Sequence, residues 1–303
     1  EVSGSCFCCN FNGFVAAIRE LSKKAAPDFI LAEPVGSCTD LSATILQPLK
    51  RFMGKEMQLA PFSVLADPFR LDAILGGGTG GLHPDAAYIF RKQLEEADCI
   101  LINKEDLLSA NERDTLLEKT SRAYPAAAVR MLSALKGEGL DAWLDELLAQ
   151  KEAGKHLAVV DYDIYAHGEA VMGWLNASLV LHGGLTDWTD FVRNFLSRLS
   201  KAFDGRQAAV GHVKVMAENG EKFVVGNLTG GADTLRLRGD AGQSEDARFT
   251  INARVEMSPE DLDSLVREAL ARMTDGKYNC EERAWKHLQP GRPHPTHRFV
   301  EVL

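Results

Sequence analysis

The sequence predicts an α/β domain built on a parallel sheet, followed by a smaller α+β domain. Three observations predict it. In the first half, short continuous apolar runs alternate with amphipathic stretches of helical period, the pattern of strands covered on both faces and joined by right-handed crossovers. Around residues 151–155 a polar stretch containing Gly154 interrupts that pattern. Beyond it the apolar runs lengthen and alternate, and Asn219-Gly220 stands between two of them as a hairpin signal.

In chain order, residues 11–24 form a helix with Phe14, Val15, Ile18 and Leu21 on one face, ended by Pro27. Residues 29–32 (Phe-Ile-Leu-Ala) read as a strand buried on both sides. A helix follows over 40–52 and a strand over 62–66. The glycine run 76–81 lacks the Lys-Ser/Thr of a phosphate loop and reads as a mobile connection. Residues 84–97 start with proline, the favoured residue of a first helical turn. Residues 99–102 are the third strand. Ser109 and Glu112 have capping-box spacing at the head of a helix over 109–124. A strand over 127–132 and a helix over 138–150 close the domain.

We expect domains at 1–153 and 154–303. In the second, residues 158–165 and 170–181 alternate as strands, and 186–203 form a helix. Strands flank Asn219-Gly220, and another covers 249–255. Ser258 is an N-cap and Pro259 the first residue of a last helix reaching Met273. An α+β sandwich, of ferredoxin-like type among the options, fits this order.

Composition narrows the function classes. The chain has 303 residues, 45% apolar and 25% charged, with a formal charge of −9. An acidic protein has no global attraction to a phosphate backbone, so nucleic acid is not expected as the main partner. No run approaches the roughly 20 apolar residues that span a bilayer, so no membrane association is expected. The start, Glu1-Val2-Ser3-Gly4, carries no basic n-region. The expected compartment is the cytoplasm.

The cysteines agree. Three of six are packed into Cys6-Phe7-Cys8-Cys9, the others being Cys38, Cys99 and Cys280. Neighbouring cysteines make a poor disulfide framework, whereas three thiols within four residues can supply thiolates to a soft cation such as Zn²⁺, Co²⁺ or Cu⁺. Buried packing is the alternative. Cys38 stands close enough in sequence to join them, or to pack in the core.

Asn103-Lys104-Glu105-Asp106 directly follows the strand at 99–102. Ligands bind at this edge of open parallel sheets. There Asp106 can accept from the N1–H and 2-amino group of guanine, Asn103 can orient the loop, and the Lys104 stem can cover the base. A solvated turn is the alternative. Ser133-Ala134-Leu135 occupies the same edge one βα unit later, where small residues can let backbone N–H groups approach a base oxygen; an ordinary strand-to-helix turn is the alternative. Glu33 and Gly36 follow the expected strand at 29–32. A carboxylate there can hold a Mg²⁺-bound water or polarise an attacking water, and a glycine N–H can reach a γ-phosphate; a structural acid before a turn is the alternative. Cys280, His287, His294 and His297 match no tight ligand spacing, and prolines 290, 293 and 295 suggest an extended docked tail.

Taken in order, Cys6-x-Cys8-Cys9, Glu33-x-x-Gly36, Gln93-x-Glu95-x-Ala97-Asp98 running into Asn103-Lys104-Glu105-Asp106, and Ser133-Ala134-Leu135 resemble the CobW-like GTPases. These are relatives of the GTPases that insert nickel into urease and hydrogenase. The resemblance covers about residues 1–150. Ser5 stands where the family's cysteine motif has glycine, with Gly4 one place earlier to allow the turn. The resemblance implies a P-loop NTPase-type domain with GTP/GDP and Mg²⁺ as cofactors, slow GTP hydrolysis, and handling of zinc, cobalt or a corrinoid (cobalamin) cofactor through the cysteines. It also implies a Walker A loop, with its strand and helix, ahead of the cysteine motif. The sequence is therefore expected to omit an N-terminal segment of its parent. The implied partner is a client metalloprotein or corrinoid-dependent enzyme recognised by the second domain, with a homodimer among the expected assemblies. The alternatives are a non-hydrolysing metal- or partner-binding protein that has lost its P-loop, and a redox protein using vicinal thiols.

Overall fold

The computed structural model describes residues 6–150, 152–231 and 234–303. The expected turn at Gly4 and Ser5 lies outside them. The chain divides into two compact units. One comprises the chain up to Gly80, then Pro84–Tyr165 and Arg292–Leu303; the other comprises Gly81–His83 and Ala166–Gly291.

The first unit is α/β. Strands β1 (Ser63–Ala66), β2 (Cys99–Ile102) and β3 (Ala128–Met131) form a parallel sheet in the order β1-β2-β3. Ser63 pairs with Cys99, and Cys99 with Ala128. All four residues of β2 are buried, as its continuous apolar run requires of a central strand. The helices are α1 (Phe11–Ala25), α2 (Gln47–Met53), α3 (Pro68–Leu75), α4 (Pro84–Glu95), α5 (Ala110–Ala123) and α6 (Leu140–Ala149). Strand alternation divides the core between them. Ile100 and Ile102 pack with Leu71 of α3, Leu94 of α4 and Leu116 of α5. Cys99 and Leu101 face the other way, onto Leu140 and Trp143 of α6. The predicted capping box at Ser109 and Glu112 is formed in both directions.

The amphipathic face of α1 makes a separate cluster. Phe11, Phe14 and Ile18 pack with Cys8, Cys38, Leu41, Ile45, Leu49 and Met53. The expected single helix over 40–52 is divided. A π-helical turn (Ser42–Leu46) precedes α2.

The strand expected at residues 29–32 does not form. The segment has no regular structure, with Phe29 68% and Leu31 90% exposed. No described strand pairs with it. Four apolar residues without a hydrogen-bonding neighbour gain too little to be fixed as a strand.

A helix, α7 (Tyr162–Ala170), leads into the second unit. The expected strand at 158–165 is thus corrected to coil and helix; the side chain of Asp161 accepts from the N–H groups of Asp163 and Ile164 and starts the turn. The second unit is α+β. Strands β4 (Met172–Asp187), β5 (Val210–Asn219), β6 (Lys222–Leu228), β7 (Arg236–Asp240), β8 (Gln243–Glu256) and β9 (Tyr278–Leu288) form an antiparallel sheet in the order β7-β6-β5-β8-β4-β9. Helices α8 (Trp188–Gly205) and α9 (Pro259–Thr274) cover one face. Leu175, Ala177, Leu179 and Leu181 of β4 alternate into a core with Trp188, Phe195, Phe203 and Phe249. Gly226 lets α8 approach β6, since a Cβ there would lie 2.3 Å from Leu196 Cδ1. Among the described residues no helix is long and apolar enough to cross a membrane.

Candidate functional site

Two loops at the carboxyl edge of the parallel sheet are locked together. The side-chain oxygen of Asn103 accepts from its neighbour's N–H, that of Lys104, at 2.8 Å. It also accepts from Ala134 N–H, in the next loop, at 3.0 Å. Ser133 is fully buried and donates its hydroxyl to Asp106 Oδ1 at 2.6 Å. Glu105 N–H bonds to Leu132 O at 3.1 Å, closing the pair of loops at the backbone. Gly139 ends the second loop with φ +77°, and a Cβ there would lie 2.7 Å from Met131 O, so only glycine turns the chain into α6 at this spot.

The result is a fixed carboxylate. One oxygen of Asp106 is held by Ser133, and Asp106 is only partly buried. Leu135, two residues after Ser133 in the second loop, is exposed. This arrangement can accept a pair of donors from a planar ligand. Lys104 sits in the left-handed region at φ 62° and pairs with Asp67 at 2.8 Å. Asp67 also caps α3 through Phe69 and Arg70 N–H. Burial opposes ionisation of Asp67, but the hydrogen bonds from Lys104 and Arg70 N–H outweigh it and hold its pKa below the usual carboxylate range. Asp67 is not among the residues that sequence reasoning singles out. Its signal is Asp67-Pro68 after a strand, an N-cap followed by proline.

Among the described residues no hydrogen bond or ion pair joins Glu33 or Gly36 to these loops. Both are exposed. The loop that carries them is nevertheless anchored. Gln93 Nε2 donates to Gly36 O at 2.9 Å and to Cys38 O at 2.8 Å. Cys38 N–H closes a turn onto Val35 O at 2.8 Å. One step on, the buried Glu96 carboxyl accepts from Thr39 Oγ1 at 3.0 Å and Ser42 N–H at 2.8 Å. Burial pushes the Glu96 pKa up to about 8. Glu96 also escapes sequence reasoning, because an acid before a strand looks like surface.

The cysteines converge at the entrance of α1. Cys6 Sγ lies 3.0 Å from Cys8 Sγ, and Cys8 Sγ lies 3.7 Å from Cys9 Sγ. Their sulfurs all fall within 4.8 Å of one another. Asn10 caps α1 by accepting from Gly13 N–H, and Asn10 N–H returns to Cys6 O, which makes the tight turn that gathers the thiols. Phe7 stacks on Phe14 at 4.3 Å and pins the turn from outside. Hydrogen bonds from Cys38 and then Cys8 hold the Cys6 thiol well below the usual range. The hydrogen bond with Cys6 and then burial push Cys8 upward, and burial pushes Cys9 upward. Hydrogen bonds within the cluster therefore favour ionisation of Cys6 over that of its neighbours. Such a set suits a soft or borderline cation.

The C-terminal segment lies along the same turn. His294 N–H points to Cys9 Sγ at 3.3 Å. Thr296 donates its N–H to Cys8 O at 2.8 Å and its hydroxyl to Cys9 O at 3.1 Å. The His297 ring packs edge-on against Phe11 at 5.1 Å. Arg298 pairs with the buried Asp40 at 2.6 Å, and Tyr162 donates to the same carboxylate at 2.7 Å. The expected docked tail is thus a strap across the cysteine turn. Cys280 and His287 take no part in it; both lie on β9 of the other unit.

Residues 1–131 match the model of the CobW/HypB/UreG nucleotide-binding domain. That segment is similar to this family's nucleotide-binding domain. It spans the cysteine turn, the Glu33–Gly36 loop and Asn103–Asp106, while Ser133–Leu135 lie just beyond it. Two solved structures are similar to the chain, the Zn(II)-bound YjiA GTPase from E. coli and a Zn(II)-bound triple mutant of YjiA GTPase. Each is 16% identical; they cover 87% and 86% of this chain and 77% and 76% of their own, with TM-scores of 0.30 and 0.31. At such scores the likeness carries no functional argument. No curated protein matches the chain.

Proposed function

We propose that this protein is a GTP-binding, slowly hydrolysing metallochaperone of the CobW/HypB/UreG family, in which nucleotide state governs delivery of a metal ion or metal–corrinoid cofactor to a client. The observation that carries the nucleotide half is the locked pair of loops. Asn103 ties Lys104 to Ala134 while Ser133 aims Asp106. Asp106 accepts the N1–H and 2-amino donors of guanine, Ala134 and Leu135 border the base oxygen, and the Lys104 stem covers the ring. A preset acceptor rejects a base without those donors, because its own hydrogen bonds would be left unmade. Glu33 and Gly36, on the loop anchored by Gln93, face the γ-phosphate and a Mg²⁺-bound water.

The metal half is supported by the thiol cluster. Cys6, Cys8 and Cys9 hold the cargo, zinc or cobalt, as thiolates, each ligating thiol giving its proton to solvent. The second unit recognises the client metalloprotein or corrinoid-dependent enzyme, and the setting is the cytoplasm.

The test is reciprocity. In the natural full-length protein, zinc affinity is measured with GTP and with GDP, and nucleotide affinity with and without zinc. The reading expects the two ratios to be equal and to differ from one by at least about fivefold. Unchanged zinc affinity between the nucleotide states would remove the coupling.

A further inference from the structure

Three cysteines lie outside the Cys6-x-Cys8-Cys9 turn, and they have different surroundings. Cys99 is a buried strand residue packed on Leu101 and Leu132, its pKa pushed up to about 11 by burial. Cys280 is exposed on β9. Cys38 is 1% exposed and packs in the same core cluster as Cys6, Cys8 and Cys9. Its sulfur stands outside the set of three that lie within 4.8 Å of one another, so it joins them by a side-chain rotation or a small shift of its segment, which comes about thirty residues later in sequence.

The geometry suits a closed metal site. Zinc–sulfur bonds of about 2.3 Å in a tetrahedron place neighbouring sulfurs roughly 3.7 Å apart. The Cys8–Cys9 pair at 3.7 Å already has that spacing and the Cys6–Cys8 pair at 3.0 Å is shorter, so a small side-chain rotation brings the second to it. Three sulfurs leave one tetrahedral position open; a fourth closes it. The backbone of Cys38 is already fixed on three sides. Its N–H is bound by Val35 O, its carbonyl by Gln93, and the following Thr39 by Glu96. A ligand held this way loses little freedom on binding.

We propose that Cys38 is the fourth sulfur ligand, completing a four-thiolate site with Cys6, Cys8 and Cys9 for a zinc-like divalent cation. This rests on the reading of those three cysteines as metal ligands. Its consequence is mechanical. Cys38 lies two residues after Gly36 and five after Glu33, on the loop assigned to the γ-phosphate. A bound metal joins the entrance of α1 to that loop. Movement of the loop withdraws one of four sulfurs and converts a closed, retaining site into an open one from which a client's ligands can take the ion.

The test uses the intact protein. X-ray absorption of the zinc complex counts sulfur neighbours, and cobalt titration reads thiolate-to-metal charge transfer in wild type, Cys38→Ser and Cys280→Ser. The expected result is four sulfurs in wild type, three in Cys38→Ser, zinc affinity weakened about tenfold or more by Cys38→Ser, and no change with Cys280→Ser. Three sulfurs plus a nitrogen or oxygen in wild type would overturn the role of Cys38 while leaving the other three as ligands. No sulfur coordination in wild type would overturn the metal reading as well. The wild-type sulfur count decides the matter even if Cys38→Ser fails to fold.

Discussion

Ser133 donates a 2.6 Å hydrogen bond to the Asp106 carboxylate across two successive strand-end loops, so the acceptor that would read a base is aimed before any ligand arrives. Removing the hydroxyl leaves the carboxylate free to rotate and forfeits about 1 kcal/mol of preorganisation. Ser133→Ala is expected to weaken GDP binding about fivefold, measured by equilibrium titration, and to lower stability by about 1 kcal/mol, since Lys136 N–H also loses its bond to the hydroxyl. Equal affinity would mean that Ser133 is a core residue only.

Exchange of the acceptor should invert the choice of base. Asp106→Asn offers an amide donor where the carboxylate accepted, which disfavours the 2-amino group of guanine and suits the 2-oxo group of xanthine. Guanine nucleotide affinity is expected to fall at least about a hundredfold, and a xanthine nucleotide should bind better to the variant than to wild type. A variant that loses both nucleotides equally would speak against base reading by Asp106.

Much of the fold and the site is legible in the sequence, for reasons that differ by element. β2 declares itself by Cys99-Ile100-Leu101-Ile102, because a central parallel strand must be apolar on both faces. Ser109 and Glu112 state their cap outright, since capping is local. Residues 29–32 have the same apolar look as β2 and yet stay exposed, because pairing depends on a neighbour that a four-residue window does not contain. Residues 158–165 alternate like a strand, but Asp161 caps a helix there. Helix α3, β7 and β9 escape a sequence reading, being short or polar. The cysteine turn is visible as a motif. What anchors the Cys38 loop, namely Gln93 and Glu96, and what crosses the cysteines, namely Thr296 and Arg298, are not, because these contacts join segments up to 287 residues apart.

Glu96 makes a pH prediction with a definite sign. Its pKa is about 8 in the fold, against about 4.3 when unfolded. Between those values the folded state binds more protons, so stability falls as pH rises from about 4.3 to about 8. The buried Asp40 nearby adds repulsion to the same effect. Glu96→Gln cannot ionise. The melting temperature of wild type should therefore drop more between pH 5 and pH 8 than that of the variant. Parallel curves would remove Glu96 as the cause.

Arg298 balances Asp40, whose side chain is fully buried while that of Arg298 is 36% exposed. Removing the partner of a buried carboxylate costs about 3–5 kcal/mol; partial exposure and the remaining bond from Tyr162 reduce this to about 2 kcal/mol. Denaturant unfolding of Arg298→Met should show that loss, and Asp40→Asn in the same background should restore part of it. An unchanged midpoint would show that the strap is held elsewhere.

The strap also shields the thiols. Deleting residues 292–303 removes the contacts of His294 and Thr296 with Cys8 and Cys9. Alkylation of those two cysteines, followed by mass spectrometry, should accelerate at least about tenfold, while Cys99 keeps its rate. Unaltered labelling would show that burial by α1 alone protects them.

The central claim is guanine-selective binding by Asn103, Asp106 and Ser133–Leu135. The most direct measurement is an equilibrium titration of the natural full-length protein with a fluorescent GDP analogue and Mg²⁺, competed by unlabelled GTP and ATP. Displacement by GTP, with ATP weaker by about three orders of magnitude or more, is the predicted result. Equal displacement by ATP, or no binding at all, would contradict it.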